Sequence, residues 1–473
     1  MSIRGGPPAE GILIGVPLVV MVSSFIGLGV ANDPALFVPL SLEIMLLLTA
    51  TWFFVMLERH RETRRWLFRL ALSAFVLRMA ALLVVHFVLS PYFFAPDALG
   101  YERNGALISA WWTQGIDPGP RVLEGDPFSY YYLNAVFIYV LGDSHLAAPV
   151  FNLFAGVWTC LLVFHTSRRI FGVAHAKAAA VIVTLFPSMI LWSVLNIRDA
   201  LATMLVTAAV LLATRLHART SPMTLAALML VVLALSQLRD YVAFLVTAGL
   251  VLGYFLSVRP GKVVSTMTLG LLATVGLAFV LQQVGAFERV VVDDPIQQMS
   301  RLRLGLQDGA QSAYGAEFDT STLGGALRFL PLGIAFLLFA PFPWAIESPL
   351  QMAALPETLL WYPLFGMALI GMRRALREAR GWIPFAVLVV LASTYALVEG
   401  NFGTAYRHRA QFMPLFFLFA GPGLNAIRSR FELPSLRRKT RMRDATRARA
   451  RGATDAPPRP GAPLGRRPGR PPG

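Results

Sequence analysis

Residues 174–217, AHAKAAAVIVTLFPSMILWSVLNIRDALATMLVTAAVLLATRLH, decide how the chain is read. Two apolar blocks, 174–192 and 201–217, flank a short polar step that holds Asn196, Arg198 and Asp199. A helix needs roughly 20 apolar residues to cross a hydrocarbon core about 30 Å thick. The blocks therefore predict two membrane-crossing helices, with Pro187 bending or ending the first, and the step predicts a turn at one membrane face.

The same pattern runs outward in both directions. Apolar blocks lie at 11–30, 36–57, 70–89 and 145–165 before this stretch, and at 224–238, 241–258, 263–284, 329–346, 357–372, 382–398 and 409–426 after it. The expected fold is all-α, a polytopic integral membrane helical bundle of about thirteen spans. Composition agrees: 56% of the 473 residues are hydrophobic and 14% charged, with mean hydropathy +0.60. Soluble domains carry roughly 25% charged residues, so an ordinary soluble enzyme is excluded. The lone Cys160 rules out an internal disulfide and a cysteine-based metal site. The segment before the first block holds one Arg, and a second block follows closely, so that span is expected to be an anchor and not a removed leader.

The net charge of +16 is not a nucleic-acid signal. Residues 428–473 hold 14 basic and 3 acidic side chains, a net +11, which leaves +5 for the other 427 residues. That segment is rich in Pro and Gly and poor in apolar residues, so it reads as a disordered basic cytoplasmic tail able to touch anionic membrane lipids. The remaining divisions are two N-terminal spans with a basic loop (1–66), a transmembrane core (67–284) with an outer loop at 90–144, a polar loop (285–328) and the C-terminal spans (329–427).

Cytoplasmic loops attract Arg and Lys. Placing the basic connectors at 58–69, 167–169, 258–262 and 373–380 inside puts four segments outside: 90–144, the turn at 196–199, the turn at 239–241, and 399–408. Block 329–346 breaks the alternation and contains Pro331, Pro341 and Pro343, so a re-entrant or interfacial hairpin is expected there. The alternative is a cytoplasmic 285–328. Residues 128–141, FSYYYLNAVFIYVL, are short and Tyr-rich and read as an interfacial helix, since aromatic residues favour the headgroup level.

Ionisable residues near membrane depth are costly and mark sites or pathways. Asp97 follows the third span and precedes Tyr101; it is a loop carboxylate or a functional one. Asp199, beside Arg198, is a helix N-cap or a site residue. Arg239 and Asp240 form a self-neutralising pair or belong to a site. Tyr406, Arg407, His408 and Arg409 fall in a loop before the last span, where two arginines are out of place outside. Arg makes bidentate contacts to phosphate oxygens, so this cluster suits a phosphorylated lipid, if it is not simple headgroup contact. No P-loop, HExxH, GxSxG or CxxC pattern occurs.

The region from the third span to about His217 resembles the amino-terminal core of GT-C glycosyltransferases, nearest the branch of protein O-mannosyltransferases and aminoarabinose–lipid A transferases. The likeness rests on Asp97-x-x-x-Tyr101, then PFSYYYLNAVFIYVLGDSHLAAPVFNLFAG, then Ser167-Arg168-Arg169-Ile170-Phe171-Gly172, then Pro187, Trp192-Ser193 and Arg198-Asp199-Ala200-Leu201. TAYRHRAQFMP (404–414) is similar to the Arg-rich segment of bacterial relatives acting on envelope polysaccharides. The sequence departs from the family at His145, where relatives often carry Arg, at Asp126-Pro127, and in lacking a large C-terminal soluble domain.

The resemblance implies a plasma-membrane (cell inner membrane) enzyme whose active site faces outside. It would take a sugar from a polyprenyl-phosphate donor to a lipid, glycan or protein acceptor of the cell envelope, with inversion. Asp97 would be the general base and Tyr101 would line the site. Asp199 would be a second carboxylate, orienting the acceptor or sharing with Asp97 a divalent cation, Mg or Mn. Arg407, His408 and Arg409 would neutralise the phosphate, with Arg198, Arg239 and Tyr406 as further substrate contacts. Two rivals stand beside this reading: an O-antigen or exopolysaccharide polymerase or ligase using undecaprenyl-linked substrates, and a lipid-linked glycan transporter without chemistry. Convergence of Asp97, Asp199 and Arg407 on one cavity discriminates them.

Overall fold

The computed structural model of the protein describes residues 34–116, 128–142, 144–257, 295–308, 313–315, 317–346, 348–377 and 381–431. Sixteen helices are found among them: α1 (Pro34–Met56), α2 (Arg61–Phe87), α3 (Pro91–Phe94), α4 (Ala98–Thr113), α5 (Phe128–Leu141), α6 (Ala147–Phe171), α7 (Val173–Leu185), α8 (Pro187–Leu191), α9 (Asp199–Ala218), α10 (Pro222–Leu238), α11 (Asp240–Leu256), α12 (Pro295–Gln307), α13 (Leu323–Phe339), α14 (Pro349–Ala375), α15 (Trp382–Val398) and α16 (Phe402–Phe431). The β-structure among the described residues is one isolated bridge, Ala313 to Asn401. The chain divides into Met1–Leu424 and Asn425–Gly473; all that follows concerns the first unit.

Among the described residues, six helices are long and apolar enough to cross a membrane, and six more apolar helices are shorter. The expected spans at 11–30 and 263–284 and the tail lie outside the described residues. The other eleven expected spans each meet a helix. Local chemistry sets several starts. Ser221, Thr322 and Ser348 accept from the backbone N–H groups of Thr224, Gly325 and Gln351, the usual satisfaction of an orphan donor at a helix N-terminus. Pro222 and Pro349 then occupy the first helical position, where no N–H is missed.

Two expectations are corrected. Block 329–346 is not a hairpin through its first half: α13 runs unbroken from Leu323 to Phe339 with Pro331 inside it. The polar segment 285–328 is not one loop, because it contains α12 and the first turns of α13. The Thr322 cap starts α13 six residues before the polar segment was expected to end. The short helix at 128–141 appears with the expected bounds.

The most enclosed helices are α6 and α16, with α2, α7 and α9 packed on α6. A second seam joins α11 to α15. A Cβ on Gly249 would lie 2.6 Å from Val387 Cα, and one on Gly253 would lie 2.6 Å from Ile383 Cα. Gly249 and Gly253 form a small-xxx-small pair that lets two backbones touch, a packing device of membrane helices. Pro187 splits α7 from α8. The freed groups are met from other helices: Arg78 of α2 donates to the carbonyls of Thr184 and Met189, and Glu357 of α14 accepts from the Ser188 N–H at 2.6 Å. Irregular backbone at membrane depth survives where protein encloses it.

Gly249→Ala is expected to destabilise the purified protein by about 1–3 kcal/mol through overpacking. Gly366→Ala, where an added Cβ meets nothing within 4 Å, should not. Thermal unfolding in detergent measures both; equal behaviour would deny the close seam.

Candidate active site

Between α8 and α9 the backbone of residues 192–198 is irregular, and Val194, Leu195, Asn196 and Ile197 are buried. Buried carbonyls require partners. Asn152 Nδ2 of α6 shares its two N–H groups among Leu195 O at 2.7 Å, Ile197 O at 2.8 Å and the Tyr130 hydroxyl at 2.9 Å. His86 Nε2 donates to Val194 O at 2.9 Å. Tyr130 donates to Asn196 Oδ1, and Asn196 donates to Asn134 Oδ1 at 2.8 Å. These bonds fix the segment whose end places Asp199 at the first residue of α9.

The Asp199 carboxylate is 1% exposed and receives four N–H contacts. Arg407 approaches Oδ2 with Nε at 2.9 Å and Nη2 at 2.6 Å; Arg239 Nη2 and Gln411 Nε2 approach Oδ1 at 2.8 and 2.6 Å. The same Arg407 reaches Asp97, with Nη1–Oδ1 at 3.0 Å and Nη2–Oδ2 at 2.9 Å. Asp97 is 39% exposed, at the start of α4. One guanidinium thus bridges a sealed carboxylate and an open one. Tyr101, one turn along α4, is buried with its ring edge-on to Tyr130, and burial pushes its phenol up to about 12, so it stays a neutral hydroxyl at ordinary pH.

Asp97, Asp199, Arg239 and Arg407 therefore come together, from segments up to 310 residues apart. The cap reading of Asp199 is replaced, since its side chain turns to the arginines. The Arg239–Asp240 pair is replaced as well: Arg239 serves Asp199 and donates to Tyr241 Oη at 2.7 Å, while Asp240 accepts the Tyr241 N–H.

Tyr406, Arg407, His408 and Arg409 do not form a loop cluster. They lie on the first turns of α16, where successive side chains diverge by about 100°. Arg407 alone of the four reaches the carboxylate pair. His408 lies between Arg239, whose Nη1 is 3.1 Å from Nε2, and the buried Glu399 at Nδ1. Arg cannot accept a hydrogen bond, so Nε2 accepts and Nδ1–H donates to Glu399. Arg409 is buried against the carbonyls of Leu338 and Ala340 and stands over the Tyr406 ring. Arg198 donates to Leu238 O at 2.9 Å.

A divalent cation does not fit this donor set. The oxygens of Asp97 and Asp199 face N–H groups of Arg407, Arg239 and Gln411, which supply the positive field a metal would bring. Among the described residues no three His, Cys, Asp or Glu side chains converge to hold a metal. Tyr241 of the singled-out 239–241 turn belongs to the site, and so do residues not singled out in the sequence: Gln411, Glu399, Asn152 and Asn134. For Gln411 a signal existed, because it follows Arg407 by one helical turn.

The sequence model of a family described as dolichyl-phosphate-mannose-protein mannosyltransferase matches residues 125–284, about a third of the chain. That region holds Asp199, Arg198 and Arg239; Asp97 and Arg407 lie outside it. No curated protein matches the sequence. Among solved structures, ArnT from Cupriavidus metallidurans bound to undecaprenyl phosphate is similar at 15% identity and TM-score 0.47, over 74% of this chain and 60% of that one. The archaeal oligosaccharyltransferase AglB from Archaeoglobus fulgidus, in complex with an inhibitory peptide and a dolichol-phosphate, is similar at 15% identity and TM-score 0.46, over 78% of this chain and 51% of that one. The chain thus spans between half and two thirds of their lengths.

Asp199→Asn leaves two enclosed guanidinium groups short of a counter-charge, so a loss of about 3–5 kcal/mol is expected. Asp97→Asn opens an exposed pair and is expected to cost under about 1 kcal/mol. Comparable melting shifts for both would show that Asp199 is not the anchor.

Proposed function

We propose that the chain is a membrane glycosyltransferase that moves a sugar from a polyprenyl-phosphate donor to a lipid, glycan or protein acceptor at the extracytoplasmic face of the plasma membrane, with inversion. The observation that carries this reading is the Arg407 guanidinium shared between the open Asp97 and the sealed Asp199. The family match over residues 125–284 supports the same chemistry, and the convergence of the three residues speaks against dispersed charges serving transport.

The Asp199 arm of Arg407 is buried and permanent. The Asp97 arm is exposed and exchangeable. A phosphate oxygen pair has the fork geometry that a carboxylate presents to Arg, so the donor phosphate takes the edge of Arg407 that Asp97 holds in its absence. Asp97 is then released beside the anomeric carbon as a free carboxylate. It removes the acceptor hydroxyl proton, which requires hydrogen-bond reach. The acceptor oxygen forms the new bond to the anomeric carbon, and the carbon–oxygen bond to phosphate breaks with its electron pair leaving on the phosphate. Arg407, held by Asp199, stabilises that charge in place. Tyr101 stays neutral and lines the site. No step passes through a metal.

Asp97→Asn is expected to lower transfer by at least about 10²-fold while binding undecaprenyl phosphate as well as wild type or better, because a competitor for Arg407 is gone. Full transfer, or weaker binding, would remove this mechanism. Arg407→Lys keeps the charge but loses the fork, so undecaprenyl phosphate binding should fall. Transfer is expected to survive EDTA; loss that Mg²⁺ restores would return a metal to the site.

A further inference from the structure

A concavity lies beside the two segments that carry Asp97 and Asp199, and its lining holds neither carboxylate. It is lined by Glu102 of α4, Asn134, Phe137 and Ile138 of α5, Ser144 and His145 before α6, Ala148 of α6, and Asn196, and its enclosed space is about 60 Å³, widening to an open mouth. We propose that this pocket is a saccharide subsite, a place for the hydroxyl-bearing edge of one sugar ring whose body rests in the open mouth; the proposal rests on the glycosyltransferase reading.

The chemistry of the lining leads there. A carboxylate offers about four acceptor positions. Glu102 uses one for the Tyr92 hydroxyl at 2.7 Å and meets Asn196 Nδ2 at 3.5 Å. Among the described residues no Arg or Lys pairs with it, so its charge is compensated by neutral donors, which hydroxyl groups are. Ser144 accepts from Leu146 N and keeps its O–H to give. The His145 ring is exposed, and neither nitrogen has a hydrogen-bond partner among the described residues. The pocket thus sets donors and acceptors side by side, as a ligand bearing several hydroxyls requires. Phe137, Ile138 and Ala148 supply an apolar wall for the carbon–hydrogen face of a ring. Pockets that fix orientation combine such walls with a few placed polar groups.

The polar floor is rigid. Asn134 and Asn196 are buried, bonded to each other and to Tyr130, so their order does not depend on a ligand. The pocket is also tied to the reacting groups through the chain itself. Glu102 stands on α4 five residues after Asp97, a rise of roughly 7 Å and about 140° round the helix axis. Asn196 stands three residues before Asp199 on the segment that Asn152 fixes. A ring held between Glu102 and Asn196 therefore rests on the two segments that carry the carboxylates.

Glu102→Gln and His145→Ala, in nanodiscs, test the assignment by binding. The probes are undecaprenyl phosphate, an undecaprenyl-phosphate-linked hexose and a free oligosaccharide panel. Each variant is expected to lose at least tenfold in affinity for a sugar-bearing probe while binding bare undecaprenyl phosphate as wild type does. Loss confined to the lipid-linked hexose makes the subsite the donor's; loss confined to the free oligosaccharide makes it the acceptor's. Unchanged binding of both sugar-bearing probes, or an equal loss for the bare lipid, overturns the proposal. His145 is exposed, so His145→Ala keeps the test sound if Glu102→Gln misfolds. Wild-type protein that binds sugars at this pocket yet transfers none would overturn the transferase reading and leave the subsite standing.

Discussion

A carboxylate cannot be sealed inside a helical bundle unless its charge and lone pairs are met by the protein, since the penalty for stripping its water amounts to several kcal/mol. Asp199 meets that requirement with four N–H contacts drawn from three side chains: Arg407 and Gln411 on α16, and Arg239 at the entry to α11. None of these helices can dock alone without leaving a bare charge behind. The pairing of α9, α11 and α16 is therefore one event, and the open carboxylate of Asp97 is attached to its edge. The arrangement separates two tasks: the buried acid orients guanidinium groups, and the exposed one is free to change partner.

The same accounting explains the broken backbone around the site. Pro187 and the irregular residues 192–198 leave groups that a continuous helix would have satisfied, and neighbouring helices reach in to replace them. Arg78, Glu357, His86 and Asn152 each serve a main-chain group. The functional carboxylates sit where helices begin. Helix starts inside the bundle exist here because side chains elsewhere make the interruptions tolerable.

The helices were legible in the sequence because each hides its backbone in its own hydrogen bonds, so apolar length alone announces it. Asp97, Asp199, Arg239 and Arg407 were legible as charges at a depth that disfavours them. What could not be read is pairing. Arg239 stands beside Asp240 in the chain, yet its partner lies 40 residues away, because adjacent residues on an extended step diverge while α10 folds back on α9. The Arg407–Arg409 run looked like one cationic patch because it was expected in a loop; helix α16 starts earlier and sends the three side chains to three environments. Asn152 and Glu399 gave little signal, since one amide within a span and one acid at a span's end look ordinary until the backbone or imidazole they serve is in place. The Gly249–Gly253 spacing was a readable sign of close helix contact.

That glycine seam has a consequence at the reacting end. Helix α11 begins immediately after Arg239, and α15 ends immediately before Glu399, the two residues that hold His408 from opposite sides. The seam forbids the two helices from spreading, and its fit of backbone into backbone forbids sliding. It works as a caliper: the gap between Arg239 and Glu399 is set deep in the bundle, and an imidazole ring is gauged at the jaws.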